Sequence, residues 1–151
     1  MANTPAFSQI LVATDFSEPS RKALEVAADL ARHYGSKMTI LHVYPVPGYV
    51  LPEGFIAAGP DVLVEVEDRT RKTLEEWKAD TVKLGVADVN ITTAIGNAAP
   101  DIVRIAKAGG YGLIVVGTHG RTGFTGFVLG SVASKVVTTS DCPVVTVPYR
   151  G

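Results

Sequence analysis

The stretch from Leu113 to Val137, LIVVGTHGRTGFTGFVLGSVASKVV, constrains the fold more than any other part of the chain. It opens with four consecutive apolar residues, which indicates a strand buried on both faces, as in a parallel sheet. Glycines follow at positions 117, 120, 123, 126 and 130, and Gly130-Ser131 opens a pattern typical of a short helix. The sequence therefore predicts a buried strand, a glycine-rich loop and a helix in immediate succession.

The start of this last helix is a candidate anion site. The amide N–H groups of Ser131, Val132 and Ala133 have no partner within the helix, and the helix dipole adds partial positive charge at the same end. Phosphate is the commonest anion that binds in this way. The chain contains no Gly-Lys-Ser/Thr sequence, so the loop is not a Walker A loop. The alternative interpretation is a glycine-rich surface loop without a ligand.

The spacing Gly117-x2-Gly120-x9-Gly130-Ser131 resembles the nucleotide-binding signature of the ATP-binding branch of the universal stress protein family. The resemblance covers the chain from its first strand to the final CPVVTV, and it implies one domain over residues 1–151. It also implies ATP as the ligand and a regulatory or protective role in the stress response. A homodimer paired through the last strand, Pro143 to Val147, is implied as well, and an apolar edge strand is physically suited to such pairing.

Apolar runs and their flanking glycines and prolines predict five strands that alternate with four helices. The strands are expected at residues 9–14, 37–44, 87–95, 113–116 and 142–147, and the helices at about 18–34, 61–84, 98–108 and from 131 onward. This alternation predicts an α/β fold with right-handed crossovers between parallel strands. The resemblance implies a five-stranded parallel sheet with helices on both faces, and the strand order is taken as 3-2-1-4-5. The resemblance implies a Rossmann-like fold of the adenine nucleotide alpha hydrolase type.

The segment from Pro45 to Pro60, PVPGYVLPEGFIAAGP, is predicted to be a long loop because it is too rich in proline and glycine for a regular element. Loops of this length inside a compact domain are usually functional or mobile. It is expected either to cover the pocket or to serve as an interaction surface.

The strand order also predicts where a ligand binds. In such a sheet, ligands lie beyond the carboxyl ends of the strands where the chain changes direction, here between strands one and four. The loops that meet there begin at Ala13-Thr14-Asp15 and at Gly117. Asp15 is expected to contact a ribose or to hold Mg²⁺ near phosphates, the alternative being a helix cap. The resemblance implies backbone contacts from Ala13 and Thr14, and from Val43 to the adenine.

Two side chains of the glycine loop complete the candidate set. Arg121 is expected to reach phosphate oxygens or to lie in solvent, and His119 to contribute its backbone more than its ring. The predicted nucleotide-binding residues are Ala13, Thr14, Asp15, Val43, Gly117, His119, Gly120, Arg121, Gly130, Ser131, Val132 and Ala133.

No catalytic residue is predicted. A triad of Asp15, His119 and Ser131 is disfavoured because the chain lacks the G-x-S-x-G turn that exposes a nucleophilic serine. Two alternatives to a nucleotide-dependent regulator stay open: a slow Mg²⁺-dependent ATPase, and a protein-interaction module with a vestigial pocket.

Composition disfavours several other classes of protein. A net charge of −1 with both signs interspersed offers no basic face for nucleic acid. The single cysteine, Cys142, cannot form an internal disulfide, which fits a reducing cytosol and excludes a cysteine-rich metal site. The N-terminal MANTPAFSQ has neither the basic nor the apolar region of a signal peptide, and no apolar run reaches membrane-spanning length. We expect a cytoplasmic protein without a membrane partner.

Overall fold

A computed structural model describes residues 5–119 and 129–150 of the chain. Its main element is a five-stranded parallel sheet in the order β5-β2-β1-β6-β7. The sheet strands are β1 (Gln9–Ala13), β2 (Lys37–Tyr44), β5 (Val89–Ile95), β6 (Leu113–Gly117) and β7 (Val144–Val147). Two further strands, β3 (Gly48–Leu51) and β4 (Gly54–Ala57), form a separate hairpin. The helices are α1 (Glu18–Tyr34), α2 (Pro60–Lys83), α3 (Ala98–Ala108) and α4 (Ser131–Thr139).

The parallel sheet and its helices confirm the predicted fold class. Numbered among themselves, the five sheet strands follow the order 3-2-1-4-5, and every neighbouring pair is parallel. The hairpin adds two strands between the second and third sheet strands, and the prediction lacked them.

The core lies on both faces of the sheet because successive strand residues point to opposite sides. On β1, Ile10 and Val12 face the layer of α1 and α2, whereas Leu11 faces the layer of α3 and α4. All three side chains are fully buried. This explains why the sequences of the central strands are continuous apolar runs rather than alternating apolar and polar residues.

Helix α1 follows β1, and it begins and ends where the sequence predicts. The Ser17 side-chain oxygen accepts a hydrogen bond from the Ser20 N–H at 3.3 Å and caps the N-terminus. Gly35 ends the helix in the left-handed conformation, with φ of 65°. The buried face consists largely of alanines, which lets the helix lie close to the sheet: Ala23, Ala27, Ala28 and Ala31.

The prediction of a loop without regular structure at Pro45–Pro60 is wrong, since the segment contains the β3–β4 hairpin. Its prolines do not interrupt pairing because they lie outside the strands, Pro47 just before β3 and Pro52 in the two-residue turn. The Ala58 N–H donates to the Pro47 carbonyl at 2.8 Å and closes the base of the hairpin.

The first residues of two sheet strands also differ by two positions from the prediction. β7 begins at Val144 rather than Cys142 because the Cys142 N–H donates to the Ser140 hydroxyl, at 3.1 Å, in a local turn. β5 begins at Val89, where pairing with Met38 of β2 starts. Neither difference changes the sheet order.

Within residues 5–119 and 129–150, no helix has the length and apolar character needed to cross a lipid bilayer.

Candidate functional site

A cavity of about 400 Å³ opens at the carboxyl edge of the sheet, between β1 and β6. Its volume is in the range of small-molecule sites. Ten of the twelve predicted site residues line it: Ala13, Thr14, Asp15, Val43, Gly117, His119, Gly130, Ser131, Val132 and Ala133. The other two, Gly120 and Arg121, lie outside the described residues. The two loops expected to meet at the change of chain direction therefore share one cavity.

Further residues of the cavity wall were absent from the prediction. Ala98 and Ile102 come from α3, which covers the same face of the sheet as α4. Their side chains give one wall an apolar surface, and only the tertiary packing of α3 brings them there. The remaining unpredicted lining residues are Ser20, Val116, Thr118 and Leu129.

The turn after β1 is fixed by its own polar groups. The Phe16 N–H donates to the Thr14 hydroxyl at 2.9 Å, and the Ser17 N–H donates to the Asp15 carboxylate at 3.0 Å. The Ser17 hydroxyl also contacts the same carboxylate oxygen. Asp15 therefore orders the approach to α1, while the helix cap itself is Ser17. This places Asp15 in the cavity wall with a defined orientation.

Phe16 adopts a backbone conformation that is unusual for a large side chain, with φ of 65°. Such a conformation costs on the order of 1–2 kcal/mol and persists only where the surroundings hold it. Here the Phe16 ring packs against His42, at 4.4 Å between ring centroids, and against the buried Trp77, at 5.4 Å. Aromatic packing thus compensates for the strained backbone next to Asp15.

His42 connects β2 to the same turn. Its Nδ1 lies 2.7 Å from the Thr14 carbonyl oxygen, so this nitrogen carries the proton and donates it. The Thr14 N–H in turn donates to the Leu41 carbonyl at 2.8 Å. The sequence identified His42 only as a strand residue, and nothing in its spacing indicates a contact with β1.

On the opposite side of the cavity, Gly130 brings the chain back to the end of β6. Its N–H donates to the Thr118 carbonyl at 2.7 Å. A Cβ at Gly130 would lie 2.8 Å from that oxygen, closer than real Cβ atoms approach, so any side chain there forces the backbone apart. Glycine is required at this position because a Cβ does not fit. Its backbone conformation does not require glycine, since a φ of −61° suits any residue.

The first turn of α4 lacks a side-chain cap because its N-cap residue is Gly130. The Gly130 carbonyl accepts a hydrogen bond from the Ser134 N–H at 2.9 Å, so Ser134 is the first residue whose N–H is bonded within the helix. The three amides before Ser134 belong to Ser131, Val132 and Ala133, which all line the cavity. This is the arrangement that favours an anion at a helix start.

A second polar cluster, separate from the cavity lining, ties α2 to β2 and β5. The Glu67 carboxylate accepts hydrogen bonds from the Tyr44 hydroxyl at 2.5 Å, from Thr93 at 2.9 Å and from Arg71 at 3.0 Å. Burial, together with the hydrogen bond to Glu67 and its charge, raises the pKa of Tyr44 to about 12. The Tyr44 hydroxyl is the main cause that lowers the pKa of Glu67. None of these four residues lines the cavity.

In the part of the chain that the structure describes, no group of three or more His, Cys, Asp or Glu residues could hold a metal ion. Asp15 is the one carboxylate among the cavity-lining residues. The described residues thus offer a divalent cation a single acidic ligand at this site.

The chain matches the model of the Universal stress protein family over residues 6–148. Universal stress protein YxiE of Bacillus subtilis is 38% identical over 150 residues, covering 93% of this chain and 99% of that protein. The solved structure of MJ0577, a universal stress protein of Methanocaldococcus jannaschii, aligns with a TM-score of 0.76 at 25% identity, covering 97% of this chain and 99% of that one.

A universal stress protein of Archaeoglobus fulgidus, solved in complex with dAMP, aligns with a TM-score of 0.67 at 23% identity. The alignment covers 95% of this chain and 99% of that one, and at this identity it shows a shared fold. Taken with the family match over nearly its whole length, these similarities establish that the chain belongs to the universal stress protein family.

Proposed function

We propose that the cavity binds an adenine nucleotide, with ATP as the preferred ligand and its phosphates against the first turn of α4. The observation that carries this proposal is the uncapped helix start that faces the cavity. Amides at such a position bind phosphate oxygens without any lysine, which agrees with the lack of a Walker A sequence.

Other residues of the cavity lining suit a base and its ribose. Ile102, Ala98 and Val116 supply apolar walls, and the backbone at Val43 would meet the adenine edge. The Asp15 carboxylate would accept hydrogen bonds from ribose hydroxyls. The dAMP complex of the A. fulgidus protein supports an adenine nucleotide as the class of ligand to test.

Mg²⁺ is proposed to enter with ATP rather than to occupy a site of its own. A hard cation prefers oxygen ligands, and Mg²⁺ usually combines one or two carboxylates with substrate phosphates. Asp15 would supply the carboxylate and the nucleotide the rest. ATP affinity should therefore depend on Mg²⁺ more strongly than AMP affinity does.

In cells, nucleotide binding would make this chain a stress-response regulator or protective factor. The homodimer proposed with this role pairs two copies through Pro143–Val147. β7 lies at the edge of the five-stranded sheet, where backbone groups can accept another strand. The prolines at 143 and 148 would limit the length of that pairing.

Calorimetric titration of ATP with Mg²⁺ tests the proposal, using Gly130→Val as the site variant. The matched control is Gly59→Val, because Gly59 is also the N-cap residue of a helix, α2, but has open space where a Cβ would lie. We expect the parent and Gly59→Val to bind ATP, and Gly130→Val to lose at least 100-fold in affinity. Absence of binding to the parent, or equal binding by both variants, would contradict the proposed site.

Phosphate release from the same samples distinguishes a nucleotide switch from an ATPase. A switch binds ATP without releasing phosphate. Release that depends on Mg²⁺ and disappears in Asp15→Ala would instead identify a slow ATPase. GTP in place of ATP tests whether the cavity selects adenine.

A further inference from the structure

The buried face of helix α1 carries a polar side chain at its cavity end. Among the buried residues that the structure describes on this helix, Ser20 alone has a polar side chain, and the others are proline, alanine and leucine. Ser20 is 5% exposed and lines the cavity together with Thr14, which is 6% exposed. A buried hydroxyl costs free energy unless it is hydrogen-bonded, so the partners of Ser20 explain its presence there.

Ser20 has hydrogen-bond partners in its own helix and at the end of β1. Its hydroxyl donates to the Ser17 carbonyl at 2.9 Å, and its backbone N–H donates to the Ser17 hydroxyl at 3.3 Å. Such bonds within the first turn of a helix are common for serine. A further contact joins α1 to the turn after β1, because the Ser20 Oγ lies 2.9 Å from the Thr14 Oγ1.

The direction of the bond between these two hydroxyls follows from the number of protons. A carbonyl oxygen can only accept, so the single hydroxyl proton of Ser20 is donated to the Ser17 carbonyl. The Thr14 hydroxyl must therefore donate to Ser20, and it accepts the Phe16 N–H at 2.9 Å. Neither Thr14 nor Ser20 has a hydroxyl proton left for a ligand.

Ser17 connects this pair of hydroxyls to the carboxylate of Asp15. The Ser17 hydroxyl accepts the Ser20 N–H and donates to Asp15 Oδ1, which also accepts the Ser17 N–H at 3.0 Å. The hydroxyl protons of Thr14, Ser17 and Ser20 are thus all donated within this part of the chain. On this side, the cavity offers a ligand a carboxylate and oxygen lone pairs, but no side-chain hydroxyl proton.

The two sides of the cavity therefore differ in hydrogen-bonding character. The first turn of α4 supplies backbone donors, whereas the side chains of the turn after β1 supply acceptors. Phosphate oxygens are acceptors and fit the first side, while a ligand group that carries protons fits the second. The hydroxyls of a ribose are groups of this kind.

We propose that Ser20 is a positioning residue that keeps the turn in this accepting arrangement, and that the cavity thereby selects the ribose hydroxyls of its ligand. This inference rests on the proposed nucleotide function and names the part of the nucleotide that is discriminated. Without the Ser20 hydroxyl, the Thr14 proton loses its acceptor, and rotation of Thr14 toward another acceptor would release the Phe16 N–H. The neighbouring Asp15 carboxylate would then lose its fixed position.

Calorimetric titration with ATP and with 2′,3′-dideoxyATP, both with Mg²⁺, tests this proposal in the parent and in Ser20→Ala. The two ligands share their base and phosphates, so the ratio of their affinities isolates the ribose hydroxyls. We expect the parent to bind ATP more tightly than dideoxyATP by roughly tenfold or more. Ser20→Ala should weaken ATP binding by about the same factor and dideoxyATP binding much less, so the ratio should approach one.

Ser36→Ala is the matched control for loss of a buried serine hydroxyl. Ser36 is also 5% exposed, and its hydroxyl also donates to a backbone carbonyl, that of Phe7. It does not line the cavity. Ser36→Ala should lower the melting temperature about as much as Ser20→Ala does, but it should keep the affinity ratio of the parent.

The double variant Asp15→Asn with Ser20→Ala tests whether Ser20 acts through the turn. Its loss of ATP affinity should be smaller than the product of the two single losses, because both changes disrupt the same contact. Losses that multiply in full would overturn the positioning role.

A parent that binds no ATP would contradict the proposed nucleotide function, and this inference with it. Where the parent binds ATP, three results would overturn the inference and leave the nucleotide function standing. These are equal affinity of the parent for both ligands, an affinity ratio that is unchanged in Ser20→Ala, and a ratio that falls equally in Ser36→Ala.

Discussion

The turns that follow β1 and β2 leave the same edge of the sheet, but the aromatic side chain of the first is packed and those of the second are exposed. After β1, Phe16 packs between His42 and Trp77, and the surrounding backbone is held by side-chain hydrogen bonds. After β2, Tyr49 and Phe55 project from a hairpin whose strands pair, among the described residues, with each other alone. The first turn can therefore serve as a fixed cavity wall, whereas the second leaves its aromatic side chains exposed.

The difference shows that rigidity at the cavity comes from a neighbouring strand. The strained Phe16 backbone is supported by residues of β2 and α2 rather than by its own turn alone. A preorganised wall of this kind lowers the cost of ordering when a ligand binds. The hairpin has no comparable support from the described chain.

The largest difference between the two regions is expected for phenylalanine truncation. Phe16→Ala should lower the free energy of unfolding by about 3 kcal/mol, because it removes a partly buried ring that packs on His42 and Trp77 and leaves the positive φ. Phe55→Ala should lower it by less than about 1 kcal/mol, since that ring is 54% exposed. Urea unfolding measures both. Equal losses would mean that the turn after β1 is no better packed than the hairpin.

A smaller effect, confined to alkaline pH, is expected for the two tyrosines. Because the pKa of Tyr44 is raised from 10 to about 12, the folded protein keeps this proton to a higher pH than the unfolded chain does. Its contribution to stability is complete below pH 10 and is lost between pH 10 and 12, by about 2 kcal/mol. Tyr44→Phe should remove this component of the pH dependence.

Tyr49→Phe is the control for that measurement, since Tyr49 is an exposed hairpin residue. Unfolding of all three proteins is followed from pH 9 to 12, and the difference between variants isolates Tyr44 from other groups that titrate there. If Tyr44→Phe and the parent lose stability in parallel, the hydrogen bond between Tyr44 and Glu67 does not control this titration.

The smallest effect concerns the link between β2 and the cavity, and it rests on the proposed nucleotide site. His42→Phe keeps a ring against Phe16 but removes the Nδ1 hydrogen bond to the Thr14 carbonyl. Loss of this hydrogen bond, worth about 1 kcal/mol to the turn that lines the cavity, should reduce ATP affinity roughly fivefold. His33→Phe, at an exposed position on α1, should leave affinity unchanged. The same affinity for both variants would show that His42 does not position the turn.

Much of the fold was predictable because strands that are buried on both faces of a parallel sheet have continuous apolar sequences. The runs around Leu11, Ile40 and Val115 cannot be amphipathic helices of ordinary length, and their flanking glycines and caps set the helix limits. The strand order then located the cavity, since Asp15 follows the end of β1 and Gly117 ends the neighbouring strand β6.

The features that escaped prediction depend on contacts between distant residues. The proline and glycine content of residues 45–60 predicted a loop in place of the hairpin. A rule based on composition does not distinguish prolines at strand ends from prolines within strands. Ala98 and Ile102 reach the cavity only through the packing of α3. The bond from His42 to Thr14, and the positive φ of Phe16, arise from side chains that meet only in the folded sheet.

The central position of β1 has a consequence for how the protein is made. β1 pairs on one side with β2, soon after it in the chain, but on the other with β6, where Ile10 meets Leu113 about a hundred residues later. Pairing across such a separation forms slowly because a long loop must close first. During synthesis, one edge of β1 therefore stays open until most of the chain has emerged. The cavity is completed only by that late step, so ligand binding would report the end of folding rather than its beginning.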